Sequence, residues 1–177
     1  MSTSYDRDTW RTPPWLFRLA ECLLPDGKKF DIDLAASHEN HLVDKYITKE
    51  EDSLELEWGT RHSYGFCNPP YSKSGKLGNV DLFIIKAIQE KNINGFTTIM
   101  VIPELNGERR TANIMRHSSR IIHFCERVDF IHPDTGKPVK GNNRGTILVE
   151  FSPRRYRHKH YFAERIHKAD EFIIIER

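Results

Sequence analysis

The sequence predicts an α/β domain built on a mostly parallel sheet with an antiparallel hairpin at its edge. Strand and helix patterns alternate up to residue 117, and three strand patterns cluster after residue 120. A further indication is the run 97–102, Thr-Thr-Ile-Met-Val-Ile, which is apolar and rich in β-branched residues. Such a run is typical of a strand that is buried on both faces.

The first half of the chain begins with nine polar residues that we expect to be flexible. A hydroxyl followed by proline, Thr12-Pro13, then predicts a helix that ends before Pro25. Short strands are predicted at 30–34, 43–48 and 64–67. Two prolines follow the third strand and begin a rigid turn, because neither a central strand nor a helix accommodates them.

The second half is predicted to hold two helices, 81–91 and 108–117, around the apolar strand. Strands at 121–124, 128–131 and 146–151 would close the sheet, the last two joined as a hairpin through the turn-rich residues between them. Residues 153–177 are predicted to be a basic extension of a single domain, 1–177, since six Arg or Lys accompany one acid between 153 and 168.

Composition narrows the class of protein. The chain has 177 residues, and 27 basic against 25 acidic side chains leave a net charge of only +2, which excludes a polybasic protein. No apolar run is long enough for a bilayer, and the N-terminus lacks the pattern of a secretion signal, so a cytoplasmic protein is expected. The three cysteines and nine histidines show no ligand spacing, so we expect no metal site.

The segment Asn68-Pro69-Pro70-Tyr71 carries the most chemical information. An amino group on an aromatic ring is a poor nucleophile, because its lone pair is delocalised into the ring. Acceptors aimed at both N–H bonds, from the Asn68 side chain and the Pro69 backbone, would localise that lone pair. Tyr71 offers a face on which the ring can stack. A stiff turn without function is the other reading, but ligands bind where strands of such sheets end.

The ordered set of motifs resembles the small phage-type DNA N6-adenine methyltransferases, the phage Dam family, over roughly residues 8 to 153. The matching pieces are Trp10-x-Thr12-Pro13 with Leu16-Phe17; Phe30-Asp31-x-Asp33-x-Ala35-Ala36-Ser37 with Asn40 and Tyr46; Asp52-x-Leu54 with Trp58; Asn68-Pro69-Pro70-Tyr71-Ser72; the strand 97–103; and Arg127-Val-Asp-Phe130 with the strand 145–153.

This resemblance implies a Rossmann-like fold that uses S-adenosylmethionine and transfers a methyl group to N6 of an adenine flipped out of double-stranded DNA. Asn68, Pro69, Pro70 and Tyr71 would be the catalytic residues. Asp33 is expected to face the amino end of the methionine moiety. Asp52, in competition with Glu50 and Glu51, is expected to accept hydrogen bonds from ribose hydroxyls. The predicted cofactor-binding residues are Trp10, Thr12, Pro13, Asp33, Ala35, Ala36, Ser37 and Asp52.

Basic residues that flank the motif are candidates for DNA binding, although a solvated surface is the other reading of such charge. Two basic loops, 72–76 and 137–144, flank the pocket, and residues 154–161 mix cations with aromatic rings. A monomer or weak dimer is expected. The predicted DNA-binding residues are Ser72, Lys73, Lys76, Lys140, Arg144, Arg154 and Arg155.

Two other hypotheses stay open at this point. The motif also suits an amino-methyltransferase that acts on RNA adenine, cytosine N4 or protein glutamine, because all of these present a planar amino or amide group. A nucleic-acid-binding module that has lost catalysis is the second. Cys67 adjoins the motif without an obvious base, and we read it as a buried strand residue.

Overall fold

The computed structural model describes residues 7–74, 77–104, 108–140, 145–157, 159–166 and 171–176. Within these ranges, no helix is both long and apolar enough to cross a membrane. The helices are α1 (Pro14–Cys22), α2 (Asn79–Asn94) and α3 (Glu108–His117), and 3₁₀ turns span Arg7–Thr9 and Pro25–Gly27. The strands are β1 (Ile32–Ala36), β2 (Tyr46–Thr48), β3 (Tyr64–Cys67), β4 (Lys73–Ser74), β5 (Leu77–Gly78), β6 (Thr97–Pro103), β7 (Arg120–Phe124), β8 (Thr146–Phe151), β9 (His160–Ile166) and β10 (Glu171–Glu176).

Eight of these strands form one sheet in the order β10-β9-β7-β8-β6-β3-β1-β2, while β4 and β5 form a small separate hairpin. Strands β2, β1, β3 and β6 are mutually parallel. Strand β8 runs antiparallel between β6 and β7, β9 is parallel to β7, and β10 is antiparallel to β9. The predicted mostly parallel α/β fold is confirmed.

The side chains of β6 show how the sheet is covered on both faces. All seven of its residues are buried, as expected of a central strand. Met100 and Ile102 belong to the core beneath α2 and α3, whereas Ile99 and Val101 pack in the core that holds Leu16 of α1. Because successive side chains of a strand point to opposite faces, the alternation places β6 in the middle of three layers.

The structure corrects the prediction of a strand at 128–131 paired with 146–151. Strand β8 pairs with β6 and β7 instead, and Ile131 forms only isolated bridges, one of them with Arg11. Val128 and Phe130 bury their side chains to 1% and 3% exposure. The apolar alternation that suggested a strand therefore reflects two side chains that a loop inserts into the core.

The antiparallel hairpin at the edge of the sheet is β9–β10, which lies within the segment predicted as a basic extension. Six residue pairs join its strands, from Glu171↔Ile166 to Glu176↔Tyr161. The run of three isoleucines, 173–175, is strongly strand-forming and could have been used as a signal. The excess of basic residues does not indicate a strand, because charge does not specify backbone conformation.

The order of the strands creates a crevice at one edge of the sheet. The chain passes from β1 to β2 on one side and then returns to β3 on the other side of β1. In open α/β sheets, ligands bind outside the carboxyl ends of the strands at such a reversal. The residues that follow β1 and β3 therefore occupy the position where a site is expected.

Candidate active site

Two of the predicted motifs meet at this crevice. Strands β1 and β3 are adjacent and parallel, with Asp33 opposite Phe66 in the register. Ala35 and Ala36 end β1, and Asn68 directly follows β3. The fold thus brings together the segment predicted to hold the cofactor and the segment predicted to hold the target base.

The amide of Asn68 is held by a residue from the start of the chain. Its Nδ2 donates a hydrogen bond to Oγ1 of Thr12 at 3.0 Å. Thr12 is buried, as is Pro13, which caps the start of α1. Because the amide nitrogen faces Thr12, the amide oxygen is turned away from Thr12 and is the acceptor that Asn68 can present to a ligand.

Tyr71 is fixed at both ends of its side chain. Its hydroxyl donates to the carbonyl oxygen of Val101 at 3.3 Å, and its ring meets Phe130 edge-on, with centroids 6.2 Å apart. Burial raises the pKa of Tyr71, so the phenol stays protonated at neutral pH. The ring orientation is therefore set by packing before any ligand binds.

Asp8 belongs to the site, and the sequence contained no signal for it. Residues 7–9, which were expected to be flexible, form a 3₁₀ turn. The Oδ1 atom of Asp8 accepts hydrogen bonds from the backbone N–H of Tyr71 at 2.6 Å and of Ser72 at 3.0 Å. These contacts tie the N-terminal segment to the loop that follows the two prolines.

Asp33 is a buried carboxyl group in β1, next to β3 in the sheet. It is 4% exposed, and burial raises its pKa to about 6, although the N–H groups of Leu42 and Ala35 and the charge of His41 oppose the shift. Its Oδ2 accepts from Leu42 at 3.1 Å and its Oδ1 from Ala35 at 3.5 Å. These bonds also connect β1 to the loop that leads to β2.

Small and polar residues complete the end of β1. Ala35 and Ala36 are half-buried and present no side chain larger than a methyl group. The hydroxyl of Ser37 donates to Glu39 at 3.1 Å, and its backbone pairs with Asn40. This edge of the crevice is therefore open to a ligand that approaches the backbone closely.

The acidic residues after β2 differ in what they already bind. Glu51 accepts hydrogen bonds from the backbone N–H and hydroxyl of Thr48, which lower its pKa. Asp52 is exposed, has a φ of 52°, and accepts from the N–H of Leu54 at 3.1 Å. Glu50 is also exposed. The two hydrogen bonds from Thr48 occupy Glu51, so Asp52 and Glu50 remain the candidates for a ribose, and the choice of Asp52 stays a prediction.

Cys67 lies in β3 and is fully buried, which confirms the reading of a strand residue. Burial raises the pKa of its thiol well above the usual value, and the charge of Asp33 acts in the same direction. A thiol in this state is a poor nucleophile. In the described part of the chain, no three His, Cys, Asp or Glu side chains are placed to hold a metal ion.

The predicted DNA-binding residues separate into two groups. Ser72, Lys73 and Lys140 belong to the edge that carries Asn68: Ser72 follows Tyr71, Lys73 begins β4, and Lys140 is exposed beside Val139, which bonds to Phe130. Lys76 and Arg144 lie outside the described residues.

Arg154 and Arg155 lie at the opposite edge of the sheet. They follow the end of β8, which runs antiparallel to β6, and the Arg154 guanidinium lies 5.5 Å over the ring of Tyr64. Tyr64 is the first residue of β3, whereas Asn68 follows its last. The length of β3 therefore separates this cation from the motif, and its predicted contact with DNA stays a prediction.

The segment 10–13 runs along the site toward α1. Trp10 packs at the edge of the core, and Arg11 exchanges two backbone hydrogen bonds with Ile131, at 2.8 and 2.9 Å. Thr12 then bonds to Asn68 after β3, and Pro13 occupies the position before α1. Of the predicted Trp10, Thr12 and Pro13, Thr12 contacts the motif directly, and the contact of all three with a cofactor stays a prediction.

Comparison with known proteins identifies the family. A family described as DNA N-6-adenine-methyltransferase (Dam) matches residues 2–173. A DNA N-6-adenine-methyltransferase of Haemophilus phage HP1 (strain HP1c1) is 32% identical over 151 residues, which cover 84% of this chain and 81% of the relative. One of Escherichia phage T1 is 30% identical over 159 residues, covering 80% of this chain and 61% of the relative. The chain belongs to the Dam family of DNA N-6-adenine-methyltransferases.

Proposed function

We propose that this protein transfers a methyl group from S-adenosylmethionine to N6 of adenine in DNA. The observation that carries the proposal is the hydrogen bond that fixes Asn68 at the carboxyl end of β3, next to β1. Family membership supports the reaction, and the local geometry supports the residues. No other function is favoured by a specific contact in the site.

The residues of the motif suit an amino group as acceptor of the methyl group. The amide oxygen of Asn68 and the backbone carbonyl of Pro69 would accept the two N6 protons and localise the nitrogen lone pair. The ring of Tyr71 would stack on the adenine, since its own orientation is already fixed. Pro69 and Pro70 hold the acceptors in place by restricting the backbone.

The donor side of the crevice fits S-adenosylmethionine. Asp33 is a buried carboxyl group that accepts hydrogen bonds from the backbone N–H groups of Ala35 and Leu42, and an ammonium group of the ligand would balance its charge. Ala35 and Ala36 would leave room for close approach, and Asp52 would accept hydrogen bonds from the ribose hydroxyls. When bound, the sulfonium supplies an activated methyl group. Transfer would form the N6–C bond as the C–S bond breaks, with the electron pair left on the sulfur and one N6 proton passed to solvent.

The target adenine has to leave the duplex to reach this crevice, because N6 is paired and stacked inside DNA. Lys140 and Lys73, with Lys76 and Arg144 from the same two loops, would contact phosphates around the flipped base. We further propose that the reaction takes place in the cytoplasm of a host cell and that the protein acts as a monomer or weak dimer.

A single assay tests the proposal. The protein is incubated with methyl-labelled S-adenosylmethionine and unmethylated DNA, with RNA and protein as parallel acceptors, and the product nucleosides are separated. We expect label in N6-methyladenine from DNA. Asn68→Ala should abolish transfer and leave cofactor binding within about twofold, since the amide is assigned to the base. Label only in RNA or protein, or normal turnover by Asn68→Ala, would contradict the proposal.

A further inference from the structure

The 3₁₀ turn Arg7–Thr9 closes onto the loop that carries the motif. One oxygen of Asp8, Oδ1, accepts both the Tyr71 N–H at 2.6 Å and the Ser72 N–H at 3.0 Å. Hydrogen bonds to a carboxylate are about twice as strong as those between neutral groups. Asp8 is therefore a firm anchor for the two peptide groups that follow the prolines.

The sequence of the loop explains why an outside anchor is needed. Pro69 and Pro70 have no N–H, so Tyr71 and Ser72 hold the first backbone donors after Asn68. Neither residue lies in a strand, because β3 ends at Cys67 and β4 begins at Lys73. These two N–H groups therefore have no acceptor on a neighbouring strand, and the carboxylate of Asp8 accepts their hydrogen bonds instead.

We propose that Asp8 is a positioning residue for methyl transfer, acting through the backbone of Tyr71 and Ser72. Its two hydrogen bonds go to backbone N–H groups, so the role we assign it is indirect. It holds the backbone end of Tyr71, while Val101 and Phe130 hold the ring. This inference rests on the proposed function, and it assigns a catalytic consequence to an N-terminal residue that lies outside the matched motifs.

Removal of Asp8 is expected to affect turnover more than folding. The ring of Tyr71 keeps its contacts with the core when the carboxylate is gone, so the loop loosens at its backbone end alone. A displacement of about 1 Å in a positioned group can lower a rate on the order of 100-fold. Binding of S-adenosylmethionine is expected to persist, because Asp33 is held by backbone N–H groups outside this turn. The segment 11–12 also keeps its own hydrogen bonds to Ile131 and Asn68.

Two variants of Asp8 distinguish the hydrogen-bond acceptor, Oδ1, from the charge of the carboxylate. Asp8→Ala removes the oxygen, and we expect kcat to fall on the order of 10- to 100-fold with the dissociation constant for S-adenosylmethionine within about twofold. Asp8→Asn retains an Oδ1 that accepts both N–H groups, and we expect it to recover most of kcat. Glu164→Ala, an exposed carboxylate on β9, is the matched control.

Amide hydrogen exchange provides a readout that does not depend on activity. A peptide of residues 68–72 reports only the amides of Tyr71 and Ser72, because its N-terminal Asn68 carries an amine and the prolines have no N–H. Asp8→Ala should speed exchange in this peptide, while Asp8→Asn and Glu164→Ala should leave it slow.

The inference is overturned by Asp8→Ala with normal kcat or normal exchange, and equally by Asp8→Asn that turns over as slowly as Asp8→Ala. Failure of the proposed function has a different signature, since the unmodified protein would then transfer no methyl group to DNA. In that case the exchange comparison still decides whether Asp8 holds the loop.

Discussion

Thr12 and Asn68 are 56 positions apart in the chain and are joined by a 3.0 Å hydrogen bond between Oγ1 and Nδ2. The bond links a residue two positions before α1 to the residue after β3. It directs the amide nitrogen of Asn68 toward Thr12 and leaves the amide oxygen on the other side. The start of the chain and the motif therefore form one site.

We predict that Thr12→Val lowers kcat on the order of tenfold, because one hydrogen bond is worth about 1 kcal/mol and its loss frees the Asn68 amide to rotate. Thr12→Ser keeps the hydroxyl and should retain most of the rate. Steady-state kinetics at saturating cofactor is the measurement. If the valine and serine variants turn over equally, the hydroxyl does not position Asn68.

Tyr71 should act through its ring rather than its hydroxyl. Tyr71→Phe loses only the 3.3 Å hydrogen bond to Val101, and we expect kcat within about threefold of the unmodified protein. Tyr71→Ala loses the stacking surface, worth about 1–3 kcal/mol per base, and should lower transfer at least tenfold. Because burial keeps the phenol protonated, the pH–rate profiles of Tyr71→Phe and the unmodified protein should coincide between about pH 6 and 9. A profile that changes shape in Tyr71→Phe would indicate a proton-transfer role.

In the cofactor-free protein, ionised Asp33 should lower the free energy of unfolding at neutral pH. Its pKa is raised from 3.8 to about 6 by burial, so the folded state binds the proton more tightly than the unfolded state. Its contribution to stability is therefore lost as the pH rises from about 4 to about 6 and is constant above that, a loss on the order of 2–3 kcal/mol.

Asp33→Asn should consequently unfold at a higher temperature than the unmodified protein at pH 8, and the difference should shrink at pH 5. The asparagine keeps an oxygen for the Leu42 N–H but loses the charge. Calorimetry should show weaker binding of S-adenosylmethionine by this variant. A difference in unfolding temperature that is the same at both pH values would contradict the raised pKa.

The edge on which a cation lies should decide its effect on DNA binding. Lys140→Ala should weaken binding and reduce the slope of log affinity against log salt by about one, as expected for one phosphate contact. Arg154→Ala should leave that slope unchanged and lower the unfolding temperature slightly, because its guanidinium packs on Tyr64. Fluorescence anisotropy over a salt series measures both variants. A lower slope for Arg154→Ala would show that DNA also reaches the amino ends of the strands.

The sequence by itself predicted the elements whose patterns are local. Strand 64–67, helix 108–117 and strand 146–151 agree with the structure at both ends, and β6 differs by one residue. The reason is that a strand or helix buried on one or both faces has apolar residues at a regular spacing, and this spacing is visible in the sequence. The motif after β3 was predicted for the same reason, since paired prolines end an apolar run wherever they occur.

Tertiary structure alone decided how these pieces meet. Asp8 and Thr12 contact the motif across 63 and 56 positions, and such distant contacts leave no periodic signal in the sequence. The run of basic residues after β8 was visible from composition, but only the antiparallel direction of that strand places Arg154 at the edge away from Asn68. A basic run and a short motif can be recognised from neighbouring residues in the sequence. The edge of the sheet on which each of them lies depends on the order and direction of the strands.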